Sequence, residues 1–473
     1  MGAMNIRLAF AIIASSCWSA FQHGYNTGVL NAPHEIICEW LQRDALTGTN
    51  TTVPAEDDKR VNTAMSVIVS IYCVGGMIGG VFTGLVADRF GRKGGLLLNN
   101  IFVFLGAACE GAAKSANSAE LIMLGRLLIG VNSGFNAGLA PLYVSEIAPV
   151  SIRGSIGTVY QLVISVTILL SQALGLESAL GNDNDWPYLL ALTAIPAVLQ
   201  CLTLPFCPES PKYLLLKRGK DEKAQKALTW FQRTDAAILE EMEEMHQEAE
   251  KTKVSKVVTL RQLILKQQLR QPLIIAVMVM AAQQLSGINA VIFYSTAIFH
   301  KIQLSRAQSQ YATLAIGITN VVMTGVSLFL VETTGRKTLL TAGFFGMMLS
   351  TVSLSIAINY SHVSWVSYLC IAIIILFVAM FAIGPGSIPW FLVTELFNQA
   401  ARPSATSVAV TVNWTANFVV GLSFLPLSLV IGSKVFIIFA AVQIILILFI
   451  HFKVPETKNK TVEEITAMFR QNM

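Results

Sequence analysis

Charged residues are scarce in this chain of 473 amino acids. They make up 13% of it, whereas hydrophobic residues make up 54% and the mean hydropathy is +0.60; an average soluble domain carries about 25% charged residues. Because so few charges cannot cover a water-facing surface, most of the surface must face lipid. The composition excludes a disordered chain, a coiled coil, a collagen and a nucleic-acid-binding domain. It predicts a polytopic membrane protein embedded in the lipid bilayer.

Clusters of catalytic or metal-binding residues are also lacking. The six histidines contain no pair at metal-ligand spacing, and the seven cysteines are scattered, most of them within apolar runs. A membrane enzyme needs clustered His or carboxylates at the interface, and a nucleotide-driven pump needs a P-loop, which this sequence does not contain. We therefore expect no enzyme activity, no metal, no cofactor, and neither nucleotide nor nucleic acid as a partner.

Twelve apolar runs are long enough to span a membrane, which takes about 20 residues. They cover 8–32, 62–86, 94–113, 120–144, 155–178, 187–207, 271–298, 309–331, 338–359, 365–393, 405–428 and 433–452. The only long polar stretch, 209–270, separates six runs from six. The predicted fold is an all-α membrane protein of twelve transmembrane helices in two six-helix bundles. We expect an N-terminal half (1–208), a linker with short helices (209–270), a C-terminal half (271–454) and a tail (455–473).

Basic residues concentrate in alternate loops. They follow spans 2, 4, 8, 10 and 12 and recur in the linker, whereas the loops 179–186 and 360–364 contain no Lys or Arg. Because cytoplasmic loops are enriched in basic residues, both termini are predicted to be cytoplasmic. The 33–61 loop is then external, and Asn50 begins a glycosylation sequon there.

The two halves repeat the same loop motifs. The stretch 88–93 (DRFGRK) recurs as 332–337 (ETTGRK), and 208–212 (PESPK) recurs as 455–458 (PETK). A third repeat places an Arg seven residues after a Glu, at 146 and 153 and again at 395 and 402. The three offsets lie between 244 and 249 residues. Generic basic loops do not explain the repeated acids and glycines, so the repeat predicts the two-bundle architecture of transporters that rock about a central site.

These repeated charges all lie at predicted cytoplasmic helix ends. We expect them to form salt bridges that join the halves there and close the outward-facing state on the inside. The alternative is that they only anchor helix ends. The predicted gate comprises Asp88, Arg89, Arg92, Glu146, Arg153, Glu209, Glu332, Arg336, Glu395, Arg402 and Glu456.

With these motifs, and with 283–289 (QQLSGIN) and 384–390 (GPGSIPW), the chain resembles the sugar porters of the major facilitator superfamily, and specifically facilitative glucose transporters of the GLUT type. The resemblance covers nearly the whole chain. It implies uniport of glucose and related hexoses across the plasma membrane by alternating access. It also implies a set of sugar-binding residues: Gln161, Gln283, Gln284, Asn289, Asn320, Phe381, Trp390 and Asn413. One position departs, because glucose-selective members usually have a glutamate where this chain has Ala382.

The chemistry of these side chains agrees with the resemblance. Amides are expensive in lipid unless they face a wet cavity or one another, and each amide both donates and accepts, as a sugar hydroxyl does. Trp390 offers a flat apolar face to a sugar ring. A single intramembrane amide can instead join two helices. The sequence Gly384, Pro385 and Gly386 with Pro389 predicts a break in span 10, interpreted as a hinge beside the site, with a static kink as the alternative.

Two related functions remain open. A proton-coupled sugar symporter needs a titrating carboxylate inside the membrane, and Asn26 stands where related symporters carry an aspartate. The remaining span acids, such as Glu110 and Glu177, are predicted to lie near membrane faces. A transporter of broader or fructose specificity on the same fold is the other alternative.

Overall fold

A computed structural model of the protein describes residues 5–46, 55–149, 153–231, 235–254, 258, 260–302, 304–397, 401–458, 460, 464–465 and 468. Throughout these residues the regular structure is helical, and no strand occurs among them. The predicted glycosylation site Asn50 lies outside the described residues.

Nine α-helices form the N-terminal half. In two places, two consecutive short helices together make one membrane crossing. A π-helical turn at Ile13–Cys17 joins the first two into a single crossing, and Ser15 donates to the carbonyl of Ala11 there at 2.6 Å. The helices are α1 (Ile6–Ile12), α2 (Trp18–Gly28), α3 (His34–Trp40), α4 (Ala55–Phe90), α5 (Arg92–Ala112), α6 (Ala119–Ile147), α7 (Arg153–Leu174), α8 (Trp186–Ala191) and α9 (Ala194–Thr203).

The linker and the C-terminal half contain the other eleven α-helices described. The linker has α10 (Asp221–Phe231), α11 (Asp235–Val254) and α12 (Leu260–Leu265). The C-terminal half has α13 (Gln267–Leu285), α14 (Ile288–Lys301), α15 (Arg306–Thr334), α16 (Arg336–Ile358), α17 (Ser364–Ile383), α18 (Ile388–Leu396), α19 (Arg402–Ile431) and α20 (Val435–Lys453).

Length and hydropathy confirm the membrane architecture. Nine described stretches are long and apolar enough to span a bilayer, and one of them, Arg402–Lys453, contains both α19 and α20. The shorter apolar stretch Val159–Leu174 and the joined α1 and α2 supply the remaining crossings. The fold is therefore all-α with the twelve crossings that the sequence predicts. We call the membrane face with the loops 88–93 and 335–337 the basic end, and the other face the opposite end.

Glycine contacts bring α4 and α6 together. A β-carbon at Gly130 would clash with the carbonyl oxygen of Tyr72, and one at Gly134 would clash with that of Gly76. Small residues are typical of such close helix approach in membranes. These glycines pack helices inside the N-terminal half.

The apolar cores are arranged unevenly along the membrane normal. One core joins the C-terminal half to N-terminal residues near the opposite end, among them Val29, Ile37 and Trp40. A second core lies within the N-terminal half and extends to the linker residue Phe231. The larger apolar contact between the halves therefore lies towards the opposite end, and a smaller one joins Tyr72 and Cys73 to Trp414.

Candidate functional site

Four buried amides form a connected cluster in the C-terminal half. Gln283 and Gln284 end α13, Asn289 begins α14, and Asn413 lies in α19. Asn413 donates to Gln283 Oε1 at 2.8 Å, Gln284 donates to Asn413 Oδ1 at 3.0 Å, and Asn289 donates to Gln284 Oε1. The structure thus brings together four of the predicted sugar-binding residues. Their orientations are fixed by one another, which presets the donors and acceptors that a hydroxylated ligand would meet.

The crossing that contains this cluster is itself interrupted. Ser286 and Gly287 separate α13 from α14, and Gly287 has a φ of 92°, a left-handed conformation that favours glycine. A β-carbon at Gly287 would lie 2.8 Å from the ring of Phe439. This break turns the chain between Gln284 and Asn289 so that their side chains meet.

A second break faces the same cluster. Helix α17 ends at Ile383, and α18 begins at Ile388. The unwound carbonyls of Pro385 and Gly386 each accept a 2.8 Å hydrogen bond from Gln283 Nε2. The predicted break in span 10 is therefore present and is bonded directly to the amide cluster. Its action as a hinge, with Gly384, Pro385 and Pro389, stays a prediction.

The other four predicted site residues are half-buried and lie on four further helices. Phe381 is near the end of α17 and Trp390 is in the first turn of α18. Gln161 in α7 and Asn320 in α15 belong to opposite halves. Their helices meet where Ser165 lies 3.3 Å from Thr324, so each amide is one turn from that contact. The structure records contacts that join the four clustered amides but none that joins these four residues to them.

A second amide network, in the N-terminal half, was not predicted from the sequence. Gln22 donates to Asn100 at 3.0 Å and Asn136 donates to Gln22 at 3.0 Å. Gln200 accepts from Asn100 at 3.0 Å and donates to Ser19 at 2.9 Å. All are buried among α2, α5, α6 and α9, so the network joins these helices to one another. The sequence signal that could have indicated it is one amide near the middle of each of four predicted spans.

Glu110 lies two residues before the end of α5, and its side chain is buried inside the N-terminal half. The residue is 0% exposed, and neither carboxylate oxygen has a hydrogen-bond partner. It packs against Gly125 of α6. The next residue, Arg126, is also buried, donates to the carbonyl of Asn26 at 3.0 Å and stacks on Tyr72 at 4.5 Å. The N-terminal half thus contains an intramembrane acid near an intramembrane cation.

The repeated charges at the basic end form the same arrangement twice. Arg92 pairs with Glu146 at 2.7 Å, and Arg336 pairs with Glu395 at 3.2 Å. Both arginines begin a helix and follow a glycine with positive φ, 84° at Gly91 and 107° at Gly335.

The motif at the end of each half supplies a carboxylate that caps the N-terminus of a helix in that half, α5 in the first and α16 in the second. Glu209 accepts from the backbone N–H groups of Arg92 and Lys93, both at 3.0 Å. Glu456 accepts from those of Arg336 at 2.9 Å and its successor at 3.1 Å. A carboxylate at a helix N-terminus satisfies free N–H groups and opposes the helix dipole. This geometry explains why the acids and glycines repeat together with the basic residues.

These ion pairs do not join the halves in the structure. Arg92–Glu146 lies within the N-terminal half and Arg336–Glu395 within the C-terminal half. Arg402 donates to the carbonyl of Phe397 in its own half. Among the side chains described at this end, the predicted bridges between halves are therefore not formed in this conformation. The predicted gate residues Arg153 and Glu332 lie in helices, but their side chains are outside the described part.

The remaining two predicted gate residues contact the linker. Asp88 pairs with Lys217 at 3.0 Å, and about half of each side chain is exposed. The carbonyl of Arg89 accepts from Arg218 at 2.7 Å. These contacts hold the start of the linker to the basic end of the N-terminal half.

Besides the mid-span contact of Ser165 with Thr324, polar contacts join the halves at the opposite end. Asn31 donates to the carbonyl of Ile292 at 2.6 Å. Arg306 of the C-terminal half pairs with Glu35 at 2.8 Å and with Glu39 at 2.7 Å, both on α3. Together with the shared apolar core, these contacts join the halves at the opposite end in this structure.

Two helical halves, one of which carries a polar cluster at broken helices, are the architecture of membrane transporters. The chain belongs to a known family of that class, since residues 10–469 match the family described as "Sugar (and other) transporter". It is therefore a membrane transporter of the sugar transporter family.

Named relatives cover nearly the whole chain. The facilitated glucose transporter member 1 of solute carrier family 2 from Gallus gallus is 43% identical over 470 residues, 99% of this chain and 94% of the relative. Member 3 from Homo sapiens is 44% identical over 466 residues, 98% of this chain and 92% of the relative. Both relatives are named as transporters, not as enzymes.

Solved structures show the same fold. The xylose transporter XylE from E. coli, in a partially occluded inward-open conformation, has a TM-score of 0.80 at 24% identity and covers 97% of this chain and 100% of its own. A major facilitator proton:xylose symporter bound to 6-bromo-6-deoxy-D-glucose has a TM-score of 0.79 at 25% identity, covering 97% and 98%.

Proposed function

We propose that this protein carries glucose and related hexoses down their concentration gradient across the plasma membrane. The observation that carries the proposal is the amide cluster of Gln283, Gln284, Asn289 and Asn413, bonded to the unwound backbone at Pro385. An uncharged ligand with many hydroxyls matches such a cluster, because each amide offers both donors and acceptors. The relatives named as facilitated glucose transporters support the same substrate.

The proposed orientation places the basic end and both termini in the cytoplasm, as the loop charges predict. The contacts of Arg306 and Asn31 then close the outside, and the sugar exchanges with the cytoplasm. Rocking of the halves would break these contacts and close the basic end instead. We place the predicted bridges between gate residues such as Glu146, Arg153, Glu395 and Arg402 in that second conformation.

The transport test is counterflow in proteoliposomes. Vesicles loaded with unlabelled glucose should accumulate labelled glucose transiently, without nucleotide and without an ion gradient. Addition of galactose or fructose outside should compete according to the substrate range of the site. Absence of counterflow for every hexose, from protein that is correctly folded and inserted, would contradict the proposal.

Proton-coupled sugar symport is the second candidate, and Glu110 is the observation that favours it. A buried carboxylate without a hydrogen-bond partner inside a membrane span is a candidate proton carrier. The two functions differ in one measurable quantity. Symport would produce alkalinisation outside lightly buffered vesicles when sugar enters, and Glu110→Gln would abolish it. Uniport predicts no sugar-dependent pH change in either protein.

A further inference from the structure

His23 lies where the two halves meet. Its imidazole, on α2, stacks on the indole of Trp414 of α19, with ring centroids 5.7 Å apart and an interplanar angle of 25°. Trp414 directly follows Asn413 of the cluster. Tyr72 packs its ring edge-on against the same indole at 5.8 Å. The N-terminal half thus presents one imidazole to the helix that contributes Asn413.

The same imidazole also reaches the predicted sugar-binding helix of its own half. His23 Nδ1 lies 3.5 Å from the hydroxyl of Tyr160, and Tyr160 directly precedes Gln161 on α7. His23 therefore contacts, in each half, a residue adjacent in sequence to a predicted sugar-binding position.

The exposure pattern of α2 indicates which way the ring faces. Gln22, Tyr25 and Asn26 are buried and bond to α5, α8 and the residues between α8 and α9 inside the N-terminal half. His23 is half-buried, although it lies among buried residues and contacts both halves. Its open surface consequently faces the gap between the halves, where the proposed site lies.

The hydrogen-bonding capacity of the imidazole suits a sugar hydroxyl. A neutral imidazole has one donor nitrogen and one acceptor nitrogen. Tyr160 engages Nδ1, which leaves Nε2 to exchange a hydrogen bond with a hydroxyl. We infer that His23 is a sugar-contacting residue of the N-terminal half, which bonds one hexose hydroxyl through Nε2 and so helps to select the substrate. This inference rests on the proposed hexose site.

Deoxy sugars test the inference one hydroxyl at a time. Competition by glucose and by its single deoxy analogues is measured in the counterflow assay for the parent and for His23→Phe, which keeps an aromatic ring against Trp414 but removes both nitrogens. Losing one hydrogen bond weakens competition about three- to tenfold. In the parent, we expect one deoxy analogue to compete about three- to tenfold more weakly than glucose. In His23→Phe this difference should disappear, and the ratio of each other analogue to glucose should be unchanged.

Two further variants separate contact from packing. His23→Gln keeps a donor and an acceptor and should restore part of the penalty. His300→Phe makes the same exchange at the opposite end, where His300 lies near Glu35, and should leave every ratio as in the parent. If His23→Phe and His23→Gln both reproduce all parental ratios, His23 only packs the halves and the inference is wrong. Failure of the proposed function would instead appear as absent counterflow in the parent.

Discussion

The side-chain nitrogen of Gln283 lies 2.8 Å from the carbonyl oxygen of Pro385, so an amide of the site is bonded to backbone that the neighbouring crossing has left unwound. A carbonyl in an intact helix would be occupied by the helix itself. The break therefore supplies acceptors to the cluster, and movement of the break must move or release Gln283. This bond gives a physical link between ligand contacts and helix geometry.

Gly384 should be far less replaceable than Gly386. A β-carbon at Gly384 would clash with the backbone carbonyl of Leu339, whereas one at Gly386 would meet its nearest atoms, of Phe381, at 3.3 Å. Because a backbone atom on a packed helix cannot swing aside, Gly384→Ala must displace α17 from α16. We expect Gly384→Ala to lower the melting temperature and the transport rate, with Gly386→Ala close to the parent. Equal effects of the two variants would contradict this account of the break.

The two ion pairs at the basic end of the N-terminal half should differ in strength. In Arg92–Glu146 about a tenth of each side chain is exposed, whereas in Asp88–Lys217 about half is exposed. Removing one partner of a buried pair costs about 3–5 kcal/mol, whereas an exposed pair contributes about 0–1 kcal/mol. Glu146→Gln should therefore lower the melting temperature in detergent clearly, and Asp88→Asn should barely change it. A larger fall in melting temperature for Asp88→Asn than for Glu146→Gln would show that burial does not determine the relative strength of these two pairs.

Loosening the opposite end should shift the resting conformation. Arg306 pairs with Glu35 and Glu39 across the halves, so Arg306→Gln removes both contacts. We expect more protein open at the opposite end, measured as faster labelling by an impermeant thiol reagent of a cysteine placed beside the cluster. The control is Arg43→Gln, since Arg43 and its partner Asp183 both belong to the N-terminal half. Unchanged labelling in Arg306→Gln would show that these pairs do not hold the closed state.

A carboxylate at residue 382 should change which hexoses compete. Ala382 is 3% exposed, next to Phe381 and close to the break. Hydrogen bonds to a charged group contribute about 1.5–3 kcal/mol, but burial of the new charge opposes them. Ala382→Glu should therefore alter the competition curves of glucose, galactose and fructose without causing proton uptake. Identical curves in parent and variant would place residue 382 outside the site.

Periodicity, loop charge and the internal repeat were sufficient to predict the all-α fold and its twelve crossings, because membrane spans are set by hydrophobic length. The amides Gln283, Gln284, Asn289 and Asn413 were predicted as a group, and the structure joins them. Their bonds to one another depend on the breaks at Gly287 and Pro385, whose directions no linear pattern specifies.

Other features of the structure could not be predicted from the sequence, for physical reasons. Whether a charge pair such as Arg92–Glu146 lies within a half or between halves depends on the conformation, which one sequence does not select. The burial of Glu110 was missed because its position near a helix end says nothing about the face it occupies. The network around Gln22 and Gln200 was missed because its amides lie on four helices that are distant in sequence. Each amide alone indicates only a contact between two helices.

Binding of labelled glucose to purified Gln284→Leu and Asn289→Leu tests the central claim most directly. Each change removes hydroxyl partners, and a polar group left unpaired costs about 1–3 kcal/mol. The matched control is Gln200→Leu, which deletes a buried amide of the N-terminal network outside the site. The account predicts that both site variants fold and insert but lose glucose binding, whereas Gln200→Leu loses stability and still binds. Parental glucose affinity in both site variants would contradict the account.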